Sequence, residues 1–72
     1  MEDERMTPIP QLRRVRLDQA LTQRDLAAQA GVTQTTIVKA EQGAPVRLST
    51  QRKLARALGV HPRELVNGEG GS

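Results

Sequence analysis

Apolar residues recur at helical spacing in short blocks along this chain, and Thr, Ser, Gly and Pro separate the blocks. Leu12, Val15 and Arg16 fall on one side of a helix predicted over residues 10–20, with Gln19 and Ala20 extending the stripe. Pro10 is tolerated in the opening turn, where its missing N–H has no helical partner to lose. A second helix opens after Thr22, an N-cap with Asp25 three residues on as a short capping-box acid. It carries Leu26, Ala27 and Ala30 and stops at Gly31. A third begins after Thr33 and runs over residues 34–42, with Ile37 inward and Gly43 beyond its end. Residues 44–48 read as a loop because Pro45 disfavours helix there. Ser49 is the predicted cap of a fourth helix bearing Leu54, Ala55 and Leu58 before Gly59. A last helix opens with Pro62, spans residues 62–66 and points Leu65 inward. Residues 1–8 read as a flexible arm and residues 67–72, Asn-Gly-Glu-Gly-Gly-Ser, as a frayed tail or linker stub. The pattern predicts one all-α, compact five-helix domain over residues 9–66.

Composition narrows the possibilities. A chain of 72 residues makes one domain at most, near the lower size limit for folding without staples. There is no Cys, hence no disulfide and no thiolate metal site, and Phe, Trp and Tyr are absent. The core must therefore be Leu, Val, Ile and Ala, a palette that suits short close-packed helices better than a sheet. No apolar run reaches the length of a bilayer span, and with no signal peptide to read, a cytoplasmic protein of bacterial or phage type is expected. The net charge is +3, but residues 9–66 hold ten Lys or Arg against four acids, a balance of +6. Such a surface suits a polyanion. Catalysis has little support: there is no glycine-rich phosphate loop, the acids do not converge, and nothing near Ser49 would make it a nucleophile. His61 stands alone and reads as a surface residue, so neither metal nor cofactor is expected.

The informative stretch runs from Thr22 to Gly43. Two short helices separated by Gly31, Val32 and Thr33 must cross steeply rather than lie antiparallel. Ala27 is small where the next helix backs onto the turn, Gly31 supplies a left-handed backbone, and Val32 plugs the turn. That is a helix-turn-helix, which holds its second helix proud of the body for a DNA major groove.

In these residues the chain resembles the phage-repressor/Cro family of helix-turn-helix regulators. The matching elements are Leu12-Arg-Arg-Val-Arg16, Leu21-Thr-Gln-Arg-Asp-Leu-Ala27, Ala30-Gly-Val-Thr33, Ile37-Val-Lys-Ala-Glu-Gln-Gly43 and Lys53-Leu-Ala-Arg-Ala-Leu-Gly-Val60, in order and covering about residues 10–66. The resemblance implies a sequence-specific, non-enzymatic regulator of transcription, a repressor, with residues 34–42 in the major groove of double-stranded DNA. It implies base contacts from Gln34, Thr35 and Lys39, and Val38 is expected outward, where it can meet a thymine methyl. Thr22, Gln23, Thr36 and Arg47 are the phosphate candidates, with the minor groove an alternative for Arg47. Arg16 and Glu41 match an ion pair tying the first helix to the third. Ala20, where a glycine often stands, and Ala40, where a larger apolar residue is common, depart from the family pattern. One short helix reads few base pairs, so a homodimer on a palindromic operator is expected, meeting through the last helix around Val60, Leu65 and Val66. The rival expectations are a protein-interaction or antitoxin-like module with a protein partner, or the DNA-binding fragment of a larger regulator.

Overall fold

Capping chemistry divides the chain into its elements. The computed structural model describes residues 5–67. Its helices are α1 (Leu12–Asp18), α2 (Gln23–Ala30), α3 (Gln34–Glu41), α4 (Leu48–Leu58) and α5 (Pro62–Val66). Thr22 and Asp25 form a reciprocal capping box at α2, and the Thr33 hydroxyl accepts the N–H of Thr36 at α3. At α5, His61 serves as the cap: its Nδ1 accepts the N–H of Arg63 while Glu64 reaches back to the His61 N–H.

Four of the helices close in the same way. The N–H of Leu21, Val32, Ala44 and Val60 returns to the carbonyl five residues earlier, on Arg16, Ala27, Lys39 and Ala55. Such a closure needs a left-handed residue just before the returning N–H. Gly31, Gly43 and Gly59 supply it in three cases, and Ala20 supplies it at φ 57° in the fourth. The departure noted at Ala20 thus leaves the turn geometry intact and places its cost in the alanine backbone.

Six aliphatic side chains are completely or almost completely withdrawn from solvent: Ile9, Leu12, Leu26, Ile37, Leu54 and Leu65. Each helix contributes one, and Ile9 comes from the segment before α1. In a core without aromatic rings, each helix is thereby anchored by at least one fully buried side chain. α2 packs on both α3 and α4, and α5 closes over α1 and α4.

Several expectations are corrected. The chain is not purely helical: β1 (Met6–Thr7) pairs antiparallel with β2 (Val46–Arg47), Met6 opposite Arg47 and Thr7 opposite Val46. The expected arm over residues 1–8 therefore does not extend through residue 8, because Met6 and Thr7 are held in this ribbon beside the buried Ile9. Residues 1–4 and 68–72 lie outside the described residues. The first helix starts at Leu12 rather than Pro10: Gln11 is its N-cap, its carbonyl accepting the Val15 N–H at 3.0 Å while its own N–H donates to the Leu65 carbonyl at 2.9 Å. The fourth starts at Leu48, not after Ser49. There the Leu48 N–H donates to the Arg5 carbonyl at 3.2 Å, and the N-cap, Arg47, makes no side-chain capping bond. Leu65 is fully buried and fills the core, which removes it from any dimer surface, whereas Val60 and Val66 are half-buried.

Two outcomes test this account in thermal unfolding. Ala20→Gly should stabilise the domain by about 0.5–1 kcal/mol, since relief of the left-handed alanine exceeds the entropy glycine adds to the unfolded chain. That corresponds to a rise of a few degrees in Tm. Ile9→Ala should cost about 2–4 kcal/mol; a loss of only a few tenths would mean that the segment before α1 is dispensable.

Candidate nucleic-acid interface

The interface is built on α3. At about 100° per residue, Ile37 and Ala40 point into the core, while Thr35, Lys39 and Gln42 share the opposite face. Gln34, Thr35, Lys39 and Gln42 are exposed, and Thr36 and Val38 are half-buried on the two flanks. Ala40 is 1% exposed, so the small residue at this position still sits fully against the core.

One flank faces α1 and the start of α2. A polar depression there is lined by Arg13, Arg16, Gln23, Val38, Glu41 and Gln42. Arg16 Nε donates to Glu41 Oε2 at 2.6 Å and its Nη2 to Glu41 Oε1 at 3.0 Å, a two-pronged pair whose side chains are 9% and 6% exposed. The third prong, Nη1, donates to the Leu21 carbonyl at 2.7 Å. Gln23 Nε2 also donates to Glu41 Oε1, at 3.1 Å. Burial alone would push the Glu41 carboxyl up. The hydrogen bonds from Arg16 and Gln23 and the charge of Arg16 outweigh it and hold Glu41 below the ordinary glutamate value. The same bond to Glu41 raises Arg16, against the opposing effect of burial. Glu41 is thus kept ionised and neutralised. Gln23 is oriented by it, with a second N–H still available to an outside acceptor.

The other flank faces the ribbon. A cleft of about 310 Å³ runs between α3 and β2, with Thr36, Lys39, Arg47, Thr50 and Met6 along its walls. Among the phosphate candidates, the structure therefore brings Thr36 and Arg47 together here, sets Gln23 beside Val38 on the opposite flank, and leaves Thr22 at the α2 cap. Thr22 is exposed, but its hydroxyl accepts from the Asp25 N–H at 2.9 Å. The backbone and side-chain N–H/O–H bonds from Thr22 hold the Asp25 carboxyl below its ordinary value. The Thr36 hydroxyl lies 2.9 Å from that of Thr33. Gln34 and Thr35 project at the exposed start of α3, bordering neither depression. Val38, expected outward, is instead turned toward Gln23 and Glu41.

Four residues bordering this face were not singled out from sequence. Gln42 stands two turns after Thr35, so helical spacing alone was enough to find it. Arg13 is three residues before Arg16 on α1 and shares its depression. Met6 and Thr50 arrive through strand pairing and the early start of α4, for which no local signal exists.

A helix-turn-helix family model matches residues 12–65, and the chain belongs to that family, the phage-repressor/Cro type. It is a non-enzymatic, sequence-specific DNA-binding regulator of transcription. Among solved structures it is similar to the restriction-modification controller protein C.AhdI from Aeromonas hydrophila. The two superpose with a TM-score of 0.75 at 36% identity, over 82% of this chain and 92% of that one. Comparison with curated protein sequences returns no match. Among the described residues, no helix is long and apolar enough to cross a membrane.

The ion pair has a pH signature. Glu41 is depressed in the folded protein, so its contribution is complete above the unfolded glutamate pKa and is lost as pH falls through the lower, folded value. Stability should decline below about pH 5. Glu41→Gln should flatten that decline while costing about 3 kcal/mol at pH 7 by leaving Arg16 buried without its counter-charge. Urea unfolding of both proteins at pH 7 and pH 4 checks this; an unchanged acid limb in the variant would remove Glu41 from the account.

Proposed function

We propose that the protein is a repressor that binds a two-fold operator as a homodimer. The observation that carries this reading is the arrangement around α3: an exposed polar crest with a depression on either side, each bearing side-chain donors. The crest suits base edges, and the two depressions suit the sugar–phosphate strands that border a major groove. In this reading Gln34, Thr35 and Lys39 contact bases, with Val38 against a thymine methyl at the edge of the set. Gln23 and the Thr22 end of α2 hold one phosphate strand, and Thr36 and Arg47 the other. An amide such as Gln34 pairs naturally with adenine and an ammonium such as Lys39 with guanine.

Dimerisation follows from economy of recognition, because one α3 spans too few base pairs to single out an operator. Val60 and Val66, half-buried at the α4–α5 end, are the apolar residues we assign to the contact. The similarity to a restriction-modification controller protein supports a role in controlling gene expression, carried out in the cytoplasm where operator DNA is found.

Selection from randomised DNA duplexes at moderate salt is the test. A palindrome should be enriched, and Gln34→Ala with Lys39→Ala should abolish the enrichment, each contact carrying about 1–3 kcal/mol of discrimination. Enrichment of a lone half-site would overturn the homodimer. Absence of any enriched sequence, with binding that vanishes steeply as salt rises, would reduce the surface to a generic polyanion contact.

A further inference from the structure

Met6 is an apolar side chain held in a strand beside the reading helix and left open to solvent. It and Leu17 are the exposed large hydrophobics among the described residues, at 52% and 53%. Leu17 borders neither flank of α3, whereas Met6 forms part of the wall of the ribbon-side cleft. In an antiparallel pair, directly opposed residues project from the same face, with their Cβ atoms about 5 Å apart. The Met6–Arg47 pairing therefore sets these two exposed side chains next to each other, while Val46 turns inward and is buried. Ile9 already anchors this segment in the core, so the Met6 side chain is not needed for that.

The cleft offers two kinds of surface at once. Lys39, Arg47 and Thr36 supply donors, and Met6, Ala44 and Pro45 supply carbon. A free anion would use the first set and gain nothing from the second. A DNA strand alternates phosphate with deoxyribose, whose faces are mostly C–H, and so uses both. Lys39 also belongs to the exposed face of α3, which makes the cleft continuous with the base-reading crest. We propose that the β1–β2 ribbon extends the DNA interface. The cleft takes one nucleotide unit of the strand bordering the major groove, with Arg47 on its phosphate and Met6 packed on its deoxyribose. The unbranched thioether suits this task, because it adapts to an irregular surface. This inference rests on assigning the Arg47 flank of α3 to DNA, and it adds an apolar contact to that flank.

Fluorescence anisotropy of the full chain tests it, with the operator duplex recovered by the selection above and a series of salt concentrations. Met6→Gln should weaken binding about fivefold, the order expected for losing part of one apolar burial. The slope of log K against log salt should not change, because a carbon contact releases no counterions. Arg47→Gln, in contrast, should reduce that slope by about 0.9. Met6→Ala should weaken binding by a similar factor to Met6→Gln, and Met6→Leu should stay within about twofold of the unaltered chain. Leu17→Gln, the same loss at the other exposed site, should also stay within about twofold. Deoxyuridine in place of every thymidine should leave the Met6→Gln loss as it is, since the sugars remain. Unchanged binding by Met6→Gln, or an equal loss in Leu17→Gln, would overturn the contact. Disappearance of the Met6→Gln loss on the deoxyuridine duplex would also overturn it, and would move Met6 to a thymine methyl. A shift in the sedimentation of the DNA-free protein on Met6→Gln would give the ribbon to a second copy of the chain instead. If selection recovers no operator, the DNA assignment falls and this contact with it; if an operator is recovered and Met6→Gln binds it unchanged, this contact alone falls.

Discussion

The contact between Arg16 and Glu41 is the constraint on which the reading surface depends. Arg16 is on α1, Glu41 ends α3, and Gln23, which shares the carboxylate, opens α2. One buried acid therefore joins three helices at the point where α3 must stand out from the body. The geometry matters more than the energy, because a buried ion pair recovers little beyond its own desolvation. With the third prong on the Leu21 carbonyl, the guanidinium also fixes the bend between α1 and α2. Every donor of that side chain except part of its terminal N–H set is used, and the position would not tolerate lysine, whose point charge cannot hold a carboxylate and a carbonyl in one plane.

Around that pin, the fold is assembled from closures of one kind. Short helices cannot be stable by themselves. The first four of these are stopped by a left-handed residue, and each of the five is held by at least one deeply buried aliphatic side chain. The result is a small core with little redundancy, in which Ile9 counts for as much as a residue from a helix. Such a core leaves α3 free to present polar side chains on its outer face, since Ile37, Ala40 and the bonds to Glu41 anchor its inner side. The two flanks then differ in character. One is polar and organised by Glu41; the other is bounded by the ribbon and carries the cations Lys39 and Arg47 beside the exposed Met6.

Much of this was legible without coordinates. Thr22, Thr33 and the glycines that follow α2, α3 and α4 mark helix ends through local backbone chemistry, which depends on neighbours a few residues away. The spacing of Leu26, Ile37, Leu54 and Leu65 marks the inward faces for the same reason, and the ordered motifs from Leu12 to Val60 sufficed for the class of protein. What escaped were features made by residues distant in the chain. Met6 pairs with Arg47 across the whole of α1 to α3, and that pairing moved the start of α4 from Ser49 to Leu48. Gln11 caps α1 and ties it to the Leu65 carbonyl. Ala20 adopts a backbone that its side chain disfavours because Leu21 must return to Arg16. Leu65, read both as inward and as part of the dimer surface, is confined to the core by the packing of α5 on α1 and α4. The sequence by itself determined the helices, their ends and the outward set on α3, because those follow from interactions within a turn or two. The tertiary structure alone decided the ribbon, the two flanks of α3 and the division of its side chains between them, because those require surfaces that exist only after distant segments have met.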